Sequence, residues 1–149
     1  VDYSFTDYHK EVGWMDTRIE ETLEKHKKGY NCAQAVACTY CDLAGIDEEL
    51  IFKLTEGFGA GMGSMGCTCG AVSGAIALAG MKNSKGSGNP TSKAETYQIS
   101  KKILKKFEEM NGSVVCKELK GIDTKKVLRS CDGCIQDAAK IIEEILFDK

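Results

Sequence analysis

The sequence has a single proline, Pro90, among its 149 residues, a net charge of only −2, and no apolar run long enough to cross a bilayer. The longest such run, residues 71–81, is about half of the roughly 20 residues a spanning helix needs, so membrane insertion is not expected. The small net charge gives no reason to expect nucleic acid or anionic lipid as a partner. The lysine pairs at 101–102, 105–106 and 125–126 are interleaved with apolar and acidic residues and read as solvated faces. No secretory leader opens the sequence. Because it begins with Val1, a leader removed earlier is left open, and a cytoplasmic location is the expectation. No C-x-x-C pair is followed by histidine, which argues against c-type haem. No Ser/His/Asp set or carboxylate pair with catalytic spacing stands out, so whether the protein is an enzyme is left open.

What the sequence does hold is glycine, 16 residues, and cysteine, eight residues. Helical patterning runs throughout, with no convincing period-2 strand. The expected fold is all-α, one domain over residues 1–149 with six or seven helices, residues 1–15 forming a peripheral N-terminal extension. The first helix is expected to be capped by Asp16, to carry Ile19, Leu23 and His26 as its stripe and to stop at Gly29. The second runs from Asn31 to Gly45 with Cys32, Val36, Tyr40 and Leu43 on one face. A third is capped by Asp47, and residues 68–81 form a fourth, buried one. Ser92 and Glu95 read as a capping box for a long helix reaching Asn111 through Tyr97, Ile99, Ile103, Leu104, Phe107 and Met110. A short helix ends at Gly121. The last carries Ile135, Ala138, Ile142, Ile145 and Leu146.

The stretch "GFGAGMGSMGCTCGAVSGAIALAG", residues 57–80, contains a formal G-x-G-x-x-G match. A dinucleotide site needs a strand before that motif and an acid about 20 residues after it. Here a helical segment precedes it and the first acid afterwards is Glu95, so no nucleotide is expected. The small residues instead suit close backbone approach: Gly70 and Gly74 share one helical face, as do Ala71, Ala75 and Ala79. The glycines before them allow positive φ. Together they would deliver Cys69 to the start of a buried central helix.

Cys32, Cys69, Cys116 and the Cys131/Cys134 pair each fall near an expected helix start. Helix N-termini favour thiolate over thiol, and several converging on one point suit a strongly anionic centre such as an iron–sulfur cluster. Cys38 and Cys41 have C-x-x-C spacing inside a helix and read as packing residues. His9 and His26 read as solvated.

These motifs resemble the C-GCAxxG-C-C family of redox-active proteins. The matching stretches are "GYNCAQAV", "GFGAGMG" followed by "CGAVSGA", "CKELKG" and "CDGCIQDAA", so the resemblance covers residues 28–146. The family is similar to the non-haem part of split-Soret cytochromes. The resemblance implies a helical fold, a redox role and a functional set of Cys32, Cys69, Cys116 and one of the last pair. Cys131 is favoured because it stands six residues before Asp137; Cys134 is the alternative fourth ligand and Cys67 an extra. The leading reading is an iron–sulfur cluster, [2Fe–2S], used for electron transfer with a redox partner protein. A metal-free thiol–disulfide protein and a structural zinc site in an interaction domain stay in competition with it. A homodimer is left open.

Overall fold

The computed structural model describes residues 17–147. The expected N-terminal extension, Asp16 and His9 lie outside that range. Seven α-helices of five or more residues occur among the described residues: α1 (Ile19–Lys27), α2 (Cys32–Tyr40), α3 (Glu48–Thr55), α4 (Gly70–Asn83), α5 (Lys93–Asn111), α6 (Cys116–Lys120) and α7 (Cys131–Ile142), with a four-residue distorted turn at Gly59–Met62. A 3-10 turn follows α2, another follows α3, and a π-helical turn, Glu143–Phe147, follows α7. No strand forms among the described residues; one isolated antiparallel bridge joins Thr68 to Val115. The fold is all-α.

The core is built around two helices rather than one. In α4, Gly70, Ala71, Val72, Ser73, Gly74, Ala75, Leu78 and Ala79 are buried, as the small-residue pattern predicts. Every residue of α2 from Ala33 to Tyr40 is buried as well, although the amphipathic pattern predicted only a single buried face. α2 packs on α4 and is enclosed by α1, α3 and α7; α4 is enclosed by α5 and α7. The contact between them depends on Gly74. A Cβ built there would lie 2.5 Å from the Ala33 carbonyl oxygen and 3.1 Å from its Cα, both backbone atoms. Helices this close leave room for hydrogen only.

Local signals explain most of the element ends. Asn31 accepts a hydrogen bond from the Gln34 N–H at 2.9 Å while Gln34 accepts one from the Asn31 N–H at 3.0 Å, a reciprocal cap. Asp47 caps α3 through the Leu50 N–H, and Ser130 caps α7 through the Gly133 N–H. Other expectations are corrected. Arg18, not an acidic residue, occupies the cap position of α1, without a side-chain bond. Ser92 does not cap α5; its hydroxyl accepts from the Lys85 N–H instead, tying down the preceding loop. Leu43, Tyr97 and Met110 are exposed, while Thr22 is fully buried. Thr22 is buried because its hydroxyl donates to the Ile19 carbonyl at 2.5 Å, which satisfies the polar atom inside the helix.

The ends of the fold are joined by Glu143, a buried carboxylate. One of its oxygens accepts from the Arg18 N–H at 2.7 Å, from the Thr17 hydroxyl at 3.2 Å and from the Tyr40 hydroxyl. Tyr40 in turn stacks on Phe147 with centroids 5.6 Å apart. Among the described residues no helix is long and apolar enough to cross a membrane.

Candidate redox centre

Four chain segments bring cysteines to one cavity of about 160 Å³, lined by Cys32, Cys69, Cys116, Cys131 and Cys134. Cys32 is the first residue of α2, Cys116 of α6 and Cys131 of α7, with Cys134 one turn further on. Cys69 is the N-cap of α4 rather than a first-turn residue. The glycine-rich loop performs the convergence. Its end is laced to Val114 and the first turn of α6: the Cys69 N–H donates to the Val114 carbonyl at 2.7 Å, the Cys116 N–H to the Cys67 carbonyl at 2.9 Å and the Lys117 N–H to the Met65 carbonyl at 2.8 Å. This lacing sets Cys69 beside Cys116.

The loop's middle is a left-handed turn. Ala60 (φ 52°), Gly61 (φ 60°), Met62 (φ 63°) and Gly63 (φ 72°) follow one another with positive φ. That costs about 1–2 kcal/mol for each non-glycine residue, and such strain gathers at functional sites. Here it aims the Ala60 N–H at the Cys32 sulfur. It also presses Gly61 against α6, where a Cβ would meet Cys116 Cβ at 2.6 Å. At Gly70 a Cβ would clash with the Cys32 sulfur. Leucine or alanine at either glycine would displace a cysteine of the cavity.

The thiols are not electrostatically alike. The Cys134 thiol beside Cys69 is the main reason the Cys69 pKa falls from the ordinary thiol value to about 7. The N–H groups of Ala71 and Val72 and the charge of Lys120 add to this, against burial. The same contact, with burial, pushes Cys134 strongly upward. Burial raises Cys32, opposed by the Ala60 N–H, and raises Cys116, opposed by Lys120. Position at a helix start therefore does not by itself produce a thiolate; at Cys32 and Cys116 desolvation outweighs it. An alkylation profile should show this order: with iodoacetamide and mass spectrometry, Cys69 of the reduced protein is expected to gain reactivity through pH ~7. A midpoint at the ordinary thiol value near 9 would contradict that arrangement.

Besides Asn31, three polar side chains complete the lining. Lys120 is raised chiefly by the neighbouring Cys131, with Cys116 and Cys32 adding to it, so it is the cation opposite the thiols. Arg129 lies across the first turn of α7 and forks onto the buried Asp137 at 3.0 and 3.2 Å. His26 is not simply solvated: it lines the cavity and its Nδ1 pairs with Asp132 at 2.8 Å. Sequence reasoning missed all three. Only Lys120, sharing "CKELKG" with Cys116, carried a local signal.

Cys38 and Cys41 are buried away from the cavity among core residues. Burial pushes Cys38 up to about 12 and raises Cys41, whose thiol donates to the Cys38 carbonyl at 3.3 Å. Both are packing thiols. Replacing either by alanine should cost modest stability, about 1 kcal/mol, and leave the chemistry of the cavity unchanged in thiol titration and metal loading. Cys67 is exposed.

The donor set is thiol-rich and includes no carboxylate. Thiolates select Cu(I), zinc or iron–sulfur clusters. Among the described residues no three His, Cys, Asp or Glu side chains are gathered closely enough to hold a metal ion. A single tetrahedral ion requires four donors within about 2.3 Å of one point, whereas a cluster distributes its ligands over several irons.

No curated protein and no solved structure matches the chain. The family model described as "Putative redox-active protein (C_GCAxxG_C_C)" matches residues 30–145, a span that contains all five cavity cysteines. The chain belongs to that family of redox-active cysteine proteins.

Proposed function

We propose that Cys32, Cys69, Cys116 and Cys131 hold an iron–sulfur cluster, [2Fe–2S] in nuclearity, through which the protein passes single electrons to and from a partner protein. The observation that carries this reading is the meeting of cysteines from four chain segments at one carboxylate-free cavity. When bound, the cluster supplies a one-electron couple. The chain supplies the rest. Cys69 is already biased toward thiolate, Lys120 offsets the negative charge of the sulfurs, and the N–H groups of Ala60, Ala71 and Val72 face Cys32 and Cys69. Burial by α2 and α4 keeps water from Cys69, which is only 5% exposed. Cys131 is favoured as fourth ligand because it faces Lys120, while Cys134 is engaged with Cys69.

The test is preparation and reconstitution without oxygen, followed by iron, sulfide and zinc analysis and visible absorption. The expected product is brown and holds about two irons and two sulfides per chain. A colourless product holding one zinc would favour a structural metal site instead.

A second reading draws on a separate observation, the direct Cys69–Cys134 contact with one thiol lowered and the other raised. That asymmetry suits dithiol–disulfide exchange, in which Cys69 thiolate attacks a partner's disulfide and Cys134 then displaces the reduced partner. Two electrons leave the dithiol and the Cys69–Cys134 bond forms. Colourless, metal-free protein with a reversible two-electron couple lost in Cys134→Ser would select this reading over the cluster.

A further inference from the structure

Beyond the cavity, the segment following α6 forms a compact surface loop with several exposed apolar side chains. Its neck is closed by the Leu128 and Arg129 N–H groups, both donating to the Leu119 carbonyl at 2.9 and 3.3 Å. Inside it the Lys125 N–H donates to the Gly121 carbonyl at 3.0 Å, and Thr124 Oγ1 accepts from the Lys126 N–H at 3.2 Å. Lys125 is held at φ 62°, a conformation that costs a non-glycine residue energy. The backbone crowds so tightly at the start of the loop that a Cβ on Gly121 would meet Lys126 backbone atoms at 2.5 Å. This is a self-supported loop with close ends, a type frequently used for function.

Its surface is unusual in two ways. Val127 is 65% exposed, Ile122 47% and Leu128 39%, three large apolar side chains within seven residues. Residues 117–129 also carry five basic and two acidic side chains, in a chain whose net charge is −2. Lys120 and Arg129, from the two ends of this segment, line the cysteine cavity. On the cavity's other side His26 is followed by the exposed Lys27 and Lys28. The cavity is therefore lined by basic groups, and the exposed apolar side chains belong to the short segment that runs between two of them, Lys120 and Arg129.

We propose that this loop is the docking surface for an acidic electron-carrier protein, which seats on Val127 and Ile122 and approaches the cysteine cavity over Lys120. The proposal rests on the redox reading of the cavity. Electron-transfer encounters bury little surface and are transient. A small apolar centre with a charged rim meets that need, since opposite charge raises the encounter rate while the apolar centre supplies the contact. The acidic partner is favoured over a nucleic acid because the exposed basic groups surround an apolar centre rather than lining a track for successive phosphates.

The experiment titrates the protein, as prepared and after reconstitution, with an acidic plant-type ferredoxin at low ionic strength by calorimetry. The expected result is saturable, salt-weakened binding that falls about tenfold or more in the Lys125→Glu/Lys126→Glu variant. Val127→Ser should weaken it as well. Lys101→Glu/Lys102→Glu, the same charge change on α5, should bind like the unaltered protein. Circular dichroism and thermal unfolding establish that each variant is folded. Absence of saturable binding, equal losses in the loop and α5 variants, or tighter loop-dependent binding of a single-stranded oligonucleotide each overturns the proposal. Loop-dependent ferredoxin binding by a protein that takes up no iron would support docking while removing the cluster reading. Full iron loading with binding indifferent to the loop variants would remove docking alone.

Discussion

Gly74→Leu is expected to lower the free energy of unfolding by about 3 kcal/mol, read by urea denaturation, or to prevent folding. The added side chain would project into the Ala33 backbone, where even a Cβ would lie 2.5 Å from the carbonyl oxygen. Backbone cannot turn aside as a flexible side chain can, so α2 and α4 would have to separate. Because these are the two buried helices, the separation would open the whole core. Gly74→Ala should show the same effect at about 1–3 kcal/mol. Gly80 is the control: it lies in the same helix, and a Cβ there meets nothing within 4 Å. Gly80→Ala should therefore be neutral or stabilising by up to about 1 kcal/mol through helix propensity. Equal responses at the two positions would refute the close-packing account.

Cys69→Ser is expected to abolish iron and sulfide incorporation while leaving the protein folded. Serine nearly preserves shape, but its hydroxyl does not ionise near neutrality and is a harder donor than thiolate. The substitution also removes the thiol that is set lowest in the cavity and the partner of Cys134. Cys38→Ser should retain the iron, since that thiol packs in the core rather than lining the cavity. The comparison separates loss of a ligand from general damage. Iron content and far-ultraviolet circular dichroism on both variants read the difference. Unchanged iron in Cys69→Ser would remove this residue from the centre.

The parts of this architecture that sequence reasoning recovers are those written in local chemistry. Asn31, Asp47, Gly45 and Gly121 mark helix ends because their side chains or backbone freedom act within a few residues. The Gly70–Gly74 spacing identifies a buried helix because absent side chains leave a repeating pattern. The burial of α2 on all sides was not visible, since its alanines and cysteines are compatible with either surface or core until neighbouring helices enclose them. Ser92 carries a cap's composition but is drawn to Lys85 by the turn before it, a contact set by tertiary geometry. The cavity follows the same division. Its cysteines could be anticipated from their places at helix starts. His26, Lys120 and Arg129 could not, because His26 reaches the cavity through its pairing with Asp132, 106 residues away, and Arg129 through a fork to Asp137. The left-handed run at Ala60 and Met62 was hidden for another reason: neither residue is one that favours positive φ.

The central claim is that the cysteine cavity holds a one-electron centre. An anaerobic redox titration of the reconstituted protein, followed by electron paramagnetic resonance and thiol counting, tests it most directly. The account predicts a one-electron reduction that produces a paramagnetic signal, leaves the number of free thiols unchanged and disappears in Cys69→Ser. A silent two-electron couple in which two thiols are lost on oxidation would contradict it.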